Sequence, residues 1–164
     1  MTGWAKELAE QIKQQEELRR QEERQRQEKA RAFSAKALHL WREFVPVLER
    51  DLEEFNQVLE QGARTGAGVQ MVFERGPGTR FRARRGSATH DQFEVWLELE
   101  RQTVEYRLNT TKGGADSTGQ FRLVMNDAEE ISMHNEDRAL TFEEASELLL
   151  RPLLASNLPG KKSS

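Results

Sequence analysis

Residues 93–108 read FEVWLELERQTVEYRL, and this stretch decides how the chain is expected to fold. On both sides of a short polar link, apolar side chains alternate with mostly charged ones. A period of two residues is what a β-strand with one buried face requires. Two such strands separated by so short a link pair in antiparallel fashion. The stretch therefore predicts a β-hairpin with one face buried and the other in water.

The same alternation continues on both sides of this hairpin. It predicts further strands at Val69–Arg75, Thr79–Arg85, Phe121–Met125 and, in short form, Ile131–Met133. Gly76-Pro77-Gly78 and Asn126-Asp127 are turn sequences, and Lys112–Gly119 is interpreted as a hairpin loop. Because the links are short, strands that are neighbours in sequence are expected to pair in space. The prediction is an antiparallel meander of five or six strands within residues 66–134.

A helical period governs the residues before this sheet. From Trp4 to Gln61 the chain has no glycine, one proline and mainly strong helix formers. Between residues 33 and 61, apolar side chains recur in steps of three and four and so share one helix face. They are Phe33, Ala37, Trp41, Phe44, Leu48, Leu52, Phe55 and Leu59. Because this pattern passes Pro46 without a change of phase, we predict one continuous helix, kinked near Pro46 and capped by Gly62.

A second helix is predicted after the sheet. Thr141 and Glu144 have the spacing of a capping box, and apolar residues follow at helical intervals. Pro152 and Pro159 limit this helix to about residues 142–154. The predicted fold class is α+β, with helices covering one face of the sheet in a two-layer domain of residues 33–156. Residues 157–164 are expected to form a flexible tail.

Residues 1–32 are predicted to form a charged helical extension. Within them, residues 13–29 contain a single apolar side chain, Leu18. The a and d positions of any heptad register are therefore mostly Gln, Glu and Arg, which argues against a tight coiled coil there. Trp4, Leu8 and Ile12, in contrast, recur every four residues and form a small apolar face.

The length of this helical region raises the question of what covers it. If residues 4–61 are all helical, they extend about 87 Å at ~1.5 Å per residue. That exceeds the width of a domain of ~100 residues. We therefore expect part of the helix to project, to fold back or to pair with another chain. The extension is either a coiled coil that joins chains or partners, or a solvated segment with no partner.

Composition excludes several classes of site. The 164 residues include 25 basic and 28 acidic side chains and no cysteine. The chain therefore has no disulfide, no thiolate zinc site and no cysteine nucleophile. No stretch approaches the ~18–20 apolar residues of a membrane helix, so no membrane association is expected. The first residues are charged and do not resemble a secretory signal, which favours a cytoplasmic location.

Motifs of catalysis and cofactor binding are not evident. His39, His90 and His134 lie far apart in sequence and in no metal-binding spacing. Lys112-Gly113-Gly114 lacks the Ser or Thr and the helix start of a phosphate-binding loop, and no serine occupies a nucleophile elbow. We therefore predict no cofactor, no metal and no enzymatic activity.

Three arginines form the local feature that suggests binding. Arg80, Arg82 and Arg84 alternate along one strand, so they share a face at ~7 Å intervals. Such a row can bind phosphates or carboxylates. It can also deter pairing at a sheet edge. The interpretation we favour is cross-strand pairing with acidic residues of the next strand, namely Glu94, Glu98 and Glu100.

Trp96 lies on the same face as these glutamates. An aromatic side chain on the wet side of a sheet indicates a second packing layer or a contact surface.

Three functional hypotheses follow. The first is a non-enzymatic interaction or scaffold protein that forms a homo-oligomer, with a dimer favoured, and recruits a protein partner through its extension. Its contact residues would be Trp4, Leu8, Ile12 and Trp96. The second is nucleic-acid or anion binding through Arg80, Arg82 and Arg84, with nucleic acid not favoured because no aromatics interleave with the arginines. The third is a small-ligand carrier or enzyme with a pocket between sheet and helices.

Overall fold

The structure is a computed structural model that describes residues 3–61, 70–86, 91–109 and 117–155. Two helices flank a run of seven strands. In chain order they are α1 (Trp4–Gln61), β1 (Met71–Arg75), β2 (Arg80–Arg85), β3 (Gln92–Glu98), β4 (Thr103–Asn109), β5 (Ser117–Met125), β6 (Ile131–Asn135), β7 (Arg138–Leu140) and α2 (Phe142–Ala155). The chain divides into two compact units, residues 1–35 and residues 36–164.

The strands form one sheet in the order β1-β2-β3-β4-β5-β6-β7, and every neighbouring pair is antiparallel. This confirms the α+β class and the meander, with one strand more than predicted. The additional strand is β7, whose three residues are too few to show a period of two. β5 is also longer than predicted, because it begins at Ser117 within the stretch interpreted as a loop. The remainder of that loop, residues 112–116, lies outside the described residues.

The hairpin predicted for residues 93–108 is confirmed as β3 and β4. Its register places Phe93 opposite Leu108 and Val95 opposite Tyr106, so apolar side chains share one face. The link ends at Gln102, which has a φ of 56° and donates its amide to the Leu99 carbonyl at 3.3 Å. A left-handed residue lets the chain reverse within this short link.

The turn between β1 and β2 depends on a glycine. Gly78 has a φ of 67°, a conformation that residues with a Cβ rarely adopt. The Gly76 amide donates to the Arg80 carbonyl at 2.9 Å and closes the turn. The predicted turn at Gly76-Pro77-Gly78 is therefore confirmed.

The core lies between the apolar face of the sheet and the two helices. α1 and α2 meet within residues 36–164 at the rings of Phe44 and Phe142, whose centroids are 5.7 Å apart. Buried side chains of this unit include Leu40, Trp41, Phe44, Leu48 and Leu52 from α1, Phe81, Phe93, Val95, Val104, Phe121 and Met133 from the sheet, and Leu149, Leu150 and Leu153 from α2. Burial of each large apolar side chain stabilises the fold by about 1.5–3 kcal/mol.

Within the described residues, both helices agree with their predicted course. α1 is continuous through Pro46, as predicted. The Glu144 amide donates to Thr141 Oγ1 at 3.1 Å, which confirms Thr141 as the N-cap of α2. The predicted cap at Gly62, the start of the first strand at Val69 and the tail at residues 157–164 lie outside the described residues.

Side chains of α1 close the edge of the sheet along β1. The Asn56 carboxamide donates to the Met71 carbonyl at 2.8 Å and accepts from the Met71 amide at 2.7 Å. Asn56 thus takes the place that a neighbouring strand would occupy. An edge strand otherwise offers unpaired backbone groups to other chains, so this contact protects β1.

Two further contacts extend this closure to both ends of β1. Arg75 pairs with Glu49 at 2.5 Å, and Gln70 donates to Glu60 at 2.8 Å. The hydrogen bond to Glu49 holds the pKa of the Arg75 guanidinium above its ordinary value. Glu49, Asn56 and Glu60 are seven and four residues apart, which places them on one side of α1.

Asn56→Ala is expected to destabilise the fold. The substitution removes both hydrogen bonds at Met71 and leaves its amide and carbonyl without these partners, so the free energy of unfolding should fall by about 1–3 kcal/mol. Urea denaturation measures this change. Gln57→Ala, at the exposed neighbouring position, is the control and should change stability by less than about 0.5 kcal/mol. Equal losses in the two variants would contradict the role of Asn56 at the edge.

Candidate functional site

The face of the sheet that the helices leave open carries charges of alternating sign. Cross-strand register places Glu74, Arg82, Glu94 and Arg107 in one row across β1, β2, β3 and β4. Neighbours in such a row have their Cβ atoms ~4.5–5.5 Å apart. Each charge in the row therefore lies next to at least one of opposite sign, which stabilises the pairing of the strands.

Glu94 is the centre of this row. Its Oε1 atom accepts a hydrogen bond from Arg80 Nη1 at 2.6 Å and lies 3.5 Å from Arg82 Nε, so one carboxylate forms ion pairs with two arginines. Cross-strand charge pairing was the interpretation favoured from the sequence, and Glu94 takes part in it. The other two glutamates do not, because Glu98 lies opposite Thr103 in the register and Glu100 lies in the turn after β3.

Trp96 lies beneath one of the arginines. Arg80 and Trp96 are directly opposite in the register, and the Arg80 guanidinium carbon lies 5.5 Å from the centroid of the indole ring. The ring is half-buried. A cation over an aromatic face gives a stabilising interaction, which accounts for a tryptophan on the wet side of the sheet. The sequence alone left the position of Trp96 open between a packing layer and a contact surface.

A groove lies on the same open face, at the end of the sheet where β2 leads into β3. Its volume is about 570 Å³. The polar side chains that line it come from four adjacent strands, and we call this concavity the sheet groove. They are Glu74, Arg82, Arg84, Gln92, Glu94, Arg107 and Asn109.

Two arginines of the sheet groove are available to a ligand. Arg82 is paired with Glu94, whereas no carboxylate in the described ranges lies within ion-pairing distance of Arg84 or Arg107. The arginine row predicted from sequence therefore divides, because Arg80 and Arg82 share Glu94 and Arg84 does not. Sequence reasoning missed Arg107, since its proximity to the row follows from the β3–β4 register, which one strand alone does not reveal.

A buried ion pair fixes the backbone below the sheet groove. Arg85 and Asp91 are 3.0 Å apart, with only 13% and 3% of their side chains exposed. Arg85 also donates to the Leu153 carbonyl of α2 at 3.3 Å. Arg85 and Asp91 directly adjoin Arg84 and Gln92 in sequence, and alternation directs those neighbours to the open face. The ion pair thereby fixes the backbone positions of Arg84 and Gln92.

The N-terminal helical segment carries a second candidate surface. Within residues 3–35, the exposed fractions are 65% for Trp4, 48% for Leu8, 51% for Ile12 and 58% for Leu18. At ~100° per residue, these four side chains lie within an arc of ~120° on the helix. We call them the N-terminal stripe. Sequence reasoning had not joined Leu18 to the other three, because six residues separate it from Ile12.

Ser132 and His134 form a pair that sequence reasoning also missed. They are two residues apart on β6, and Ser132 Oγ lies 2.8 Å from His134 Nε2. A serine beside a histidine is the start of a nucleophilic site, but such a site needs a further group that orients the imidazole. Within the described part of the chain, no carboxylate is paired with His134. The signal was the spacing of two residues on a strand, which also occurs without functional meaning.

In the described residues, no three or more His, Asp or Glu side chains come together in a way that could hold a metal ion. Neither described helix has an apolar window long enough to cross a bilayer. His39 is paired with Glu43 at 3.1 Å, and His90 lies outside the described ranges.

Between the helices lies a smaller cavity of about 300 Å³, lined in part by Asp51, Ser146 and Leu150. Ser146 is buried and donates its hydroxyl to Asp51 at 2.6 Å. That hydrogen bond joins α2 to α1 and accounts for the polar groups at this position. The volume is at the lower end of the ~300–1,000 Å³ that small-molecule sites occupy.

Asp91→Ala is expected to lower the stability of the domain more than the loss of an exposed ion pair does. The substitution leaves the Arg85 guanidinium buried without its carboxylate, which costs about 3–5 kcal/mol. Chemical denaturation measures the loss. Glu147→Ala removes the exposed partner of Arg151 and is the control, with little or no change expected. A similar small change for both would show that Asp91 does not hold this end of the sheet.

The chain matches no protein-family model, no curated protein and no solved structure. Its function is therefore inferred from the geometry of its own residues.

Proposed function

We propose that this protein is a non-enzymatic interaction protein that self-associates, as a dimer, through the N-terminal stripe. The observation that carries the proposal is the exposure of Trp4, Leu8, Ile12 and Leu18 on one side of a helical segment whose other exposed side chains are charged, polar or alanine. Transfer of each such side chain from water into an apolar contact is favourable by about 1.5–3 kcal/mol.

A second copy of the stripe is the occupant that this surface fits best. In a two-fold contact each chain contributes the same patch, so an apolar stripe meets an apolar stripe. The stripe is short, and association itself costs several kcal/mol. We therefore expect a dissociation constant of about micromolar strength rather than a permanent dimer.

The sheet is a less suitable place for self-association. Asn56 and Glu49 of α1 occupy the edge at β1. At the opposite edge β7 has only three residues. Short or covered edge strands offer few backbone groups to another chain. These contacts favour the helical segment over the sheet as the contact in a dimer.

The charged residues 13–29 are proposed as the surface that recruits a partner protein. Their side chains are exposed, and ion pairs within the segment are open to solvent, as between Glu23 and Arg26 at 3.7 Å. Exposed charges contribute more to the rate and selectivity of association than to its strength. In this proposal the stripe holds the dimer together, and the charged segment selects what binds to it.

The stripe is tested by Leu8→Glu combined with Ile12→Glu in the full chain. Charged side chains cannot enter an apolar contact without a large desolvation penalty, so the variant should remain monomeric. Analytical ultracentrifugation at concentrations well above the expected micromolar dissociation constant should approach twice the 19.0 kDa chain mass for the unmodified protein and give the single-chain mass for the variant.

The matched control is Lys6→Gln combined with Lys13→Gln. It changes the net charge by the same two units, but on the opposite side of the helix. The control should still dimerise. A monomeric unmodified chain, or equal dissociation of the variant and the control, would exclude the stripe as the dimer contact.

A further inference from the structure

The sheet groove has the dimensions of a small-molecule site. Its volume of about 570 Å³ lies within the ~300–1,000 Å³ that such sites occupy. Its walls are side chains of β1 to β4, so their spacing is set by the strand register rather than by flexible connections. A site on regular strands holds its groups in defined positions before a ligand arrives.

Four of these side chains surround one position on the sheet. Arg84, Gln92 and Asn109 are directly opposite one another on β2, β3 and β4. Arg107 precedes Asn109 by two residues, so it extends from the same face of β4. β2 and β4 are about 9–10 Å apart across β3. Two long guanidinium side chains can therefore reach the space above Gln92 from opposite sides.

The charges of the sheet groove define which group would occupy that space. Arg84 and Arg107 have no carboxylate at ion-pairing distance in the described residues, whereas Glu94 is already held by Arg80 and Arg82. A guanidinium binds a carboxylate or a phosphate through two parallel hydrogen bonds. The two arginines thus provide donors that no described acidic side chain takes up.

Glu74 makes the β1 side of the sheet groove electrostatically different from its β4 side. It lies on β1, in the row that contains Arg82 and Glu94, and its carboxylate repels an anion at that side. An anionic group is therefore favoured at the β4 side, near Arg107. The part of a ligand that extends towards β1 should be neutral or cationic.

We propose that the sheet groove binds a small organic molecule by one oxyanion, a carboxylate or a phosphate, which is held between Arg84 and Arg107. Gln92 borders the same space, and the Asn109 carboxamide supplies a further hydrogen-bonding group there. The described side chains of the site lie on β1 to β4, so the proposal does not depend on the self-association proposed for residues 4–18. Either proposal can fail without the other.

A single-stranded nucleic acid is a poorer fit to this face. Binding without sequence preference requires aromatic rings on which bases stack. Trp96 is the aromatic residue beside the arginine row, and the Arg80 guanidinium already covers its ring. Glu74 and Glu94 would in addition lie beneath a phosphate backbone that crosses the sheet groove. The sheet groove is therefore suited to one anionic group rather than to a chain of them.

Titration calorimetry of the full chain tests the proposal, with inorganic phosphate and succinate as separate probes at low ionic strength, where charge interactions are least screened. At least one probe should bind saturably, and the tighter of the two identifies the oxyanion. Arg84→Gln combined with Arg107→Gln should weaken that binding by about tenfold or more.

The matched control is Arg42→Gln combined with Arg122→Gln, which removes two exposed arginine charges outside the sheet groove. The control should bind as the unmodified chain does. Absence of saturable binding of both probes overturns the proposal. So does an equal loss in both double variants, because it would reflect only the net charge of the protein.

A lysine variant tests the same site without removing its charge. If the glutamine variant does not fold, Arg84→Lys combined with Arg107→Lys replaces it. Lysine keeps the charge but lacks the planar fork, so weaker binding supports the site and unchanged binding overturns it.

A short single-stranded oligonucleotide is the third probe. Tighter binding of the oligonucleotide than of both small anions, lost in the same variant, would show a nucleic-acid surface and overturn the small-ligand proposal.

Discussion

One face of a single antiparallel sheet has to be kept from water, and the arrangement of residues 36–164 depends on this requirement. The described residues contain no second sheet that could pack against it, so α1 and α2 supply the cover, with Phe44, Leu48 and Leu149 among the buried side chains. Since both helices are committed to one face, the other face is left open. The charges and polar groups of the chain are therefore concentrated where a ligand can reach them, and both Trp96 and the sheet groove lie on that side.

The two proposed activities use different parts of the molecule for different physical reasons. The N-terminal stripe is apolar and exposed, and its removal from water would make association favourable. The sheet groove is polar, and its arginines would gain charge-assisted hydrogen bonds. The two sites need no structural connection, because each can bind its own partner without the other. A dimer formed through the N-terminal stripe would simply carry two copies of the sheet groove.

The parts of this fold that could be predicted are those that depend on short-range periodicity. Alternation in the sequence predicted β1 to β6, and helical spacing predicted α1 and α2, because each pattern repeats several times within its element. β7 escaped notice because three residues contain no repeat. The site was harder to predict from the sequence, since the sheet groove depends on which residues of different strands are opposite one another. Arg84 was predicted from its own strand, whereas Arg107 and the sharing of Glu94 by Arg80 and Arg82 required the register.

Because α1 precedes β1 in the chain, the closure of β1 by Asn56 has a consequence during synthesis. Translation proceeds from the N-terminus, so Glu49, Asn56 and Glu60 leave the ribosome before Met71 and Arg75 do. The cover for the edge of the sheet thus already exists when the strand that needs it appears. Exposed strand edges are among the surfaces through which nascent chains aggregate. Placing the covering helix first shortens the period during which this edge is available to neighbouring chains.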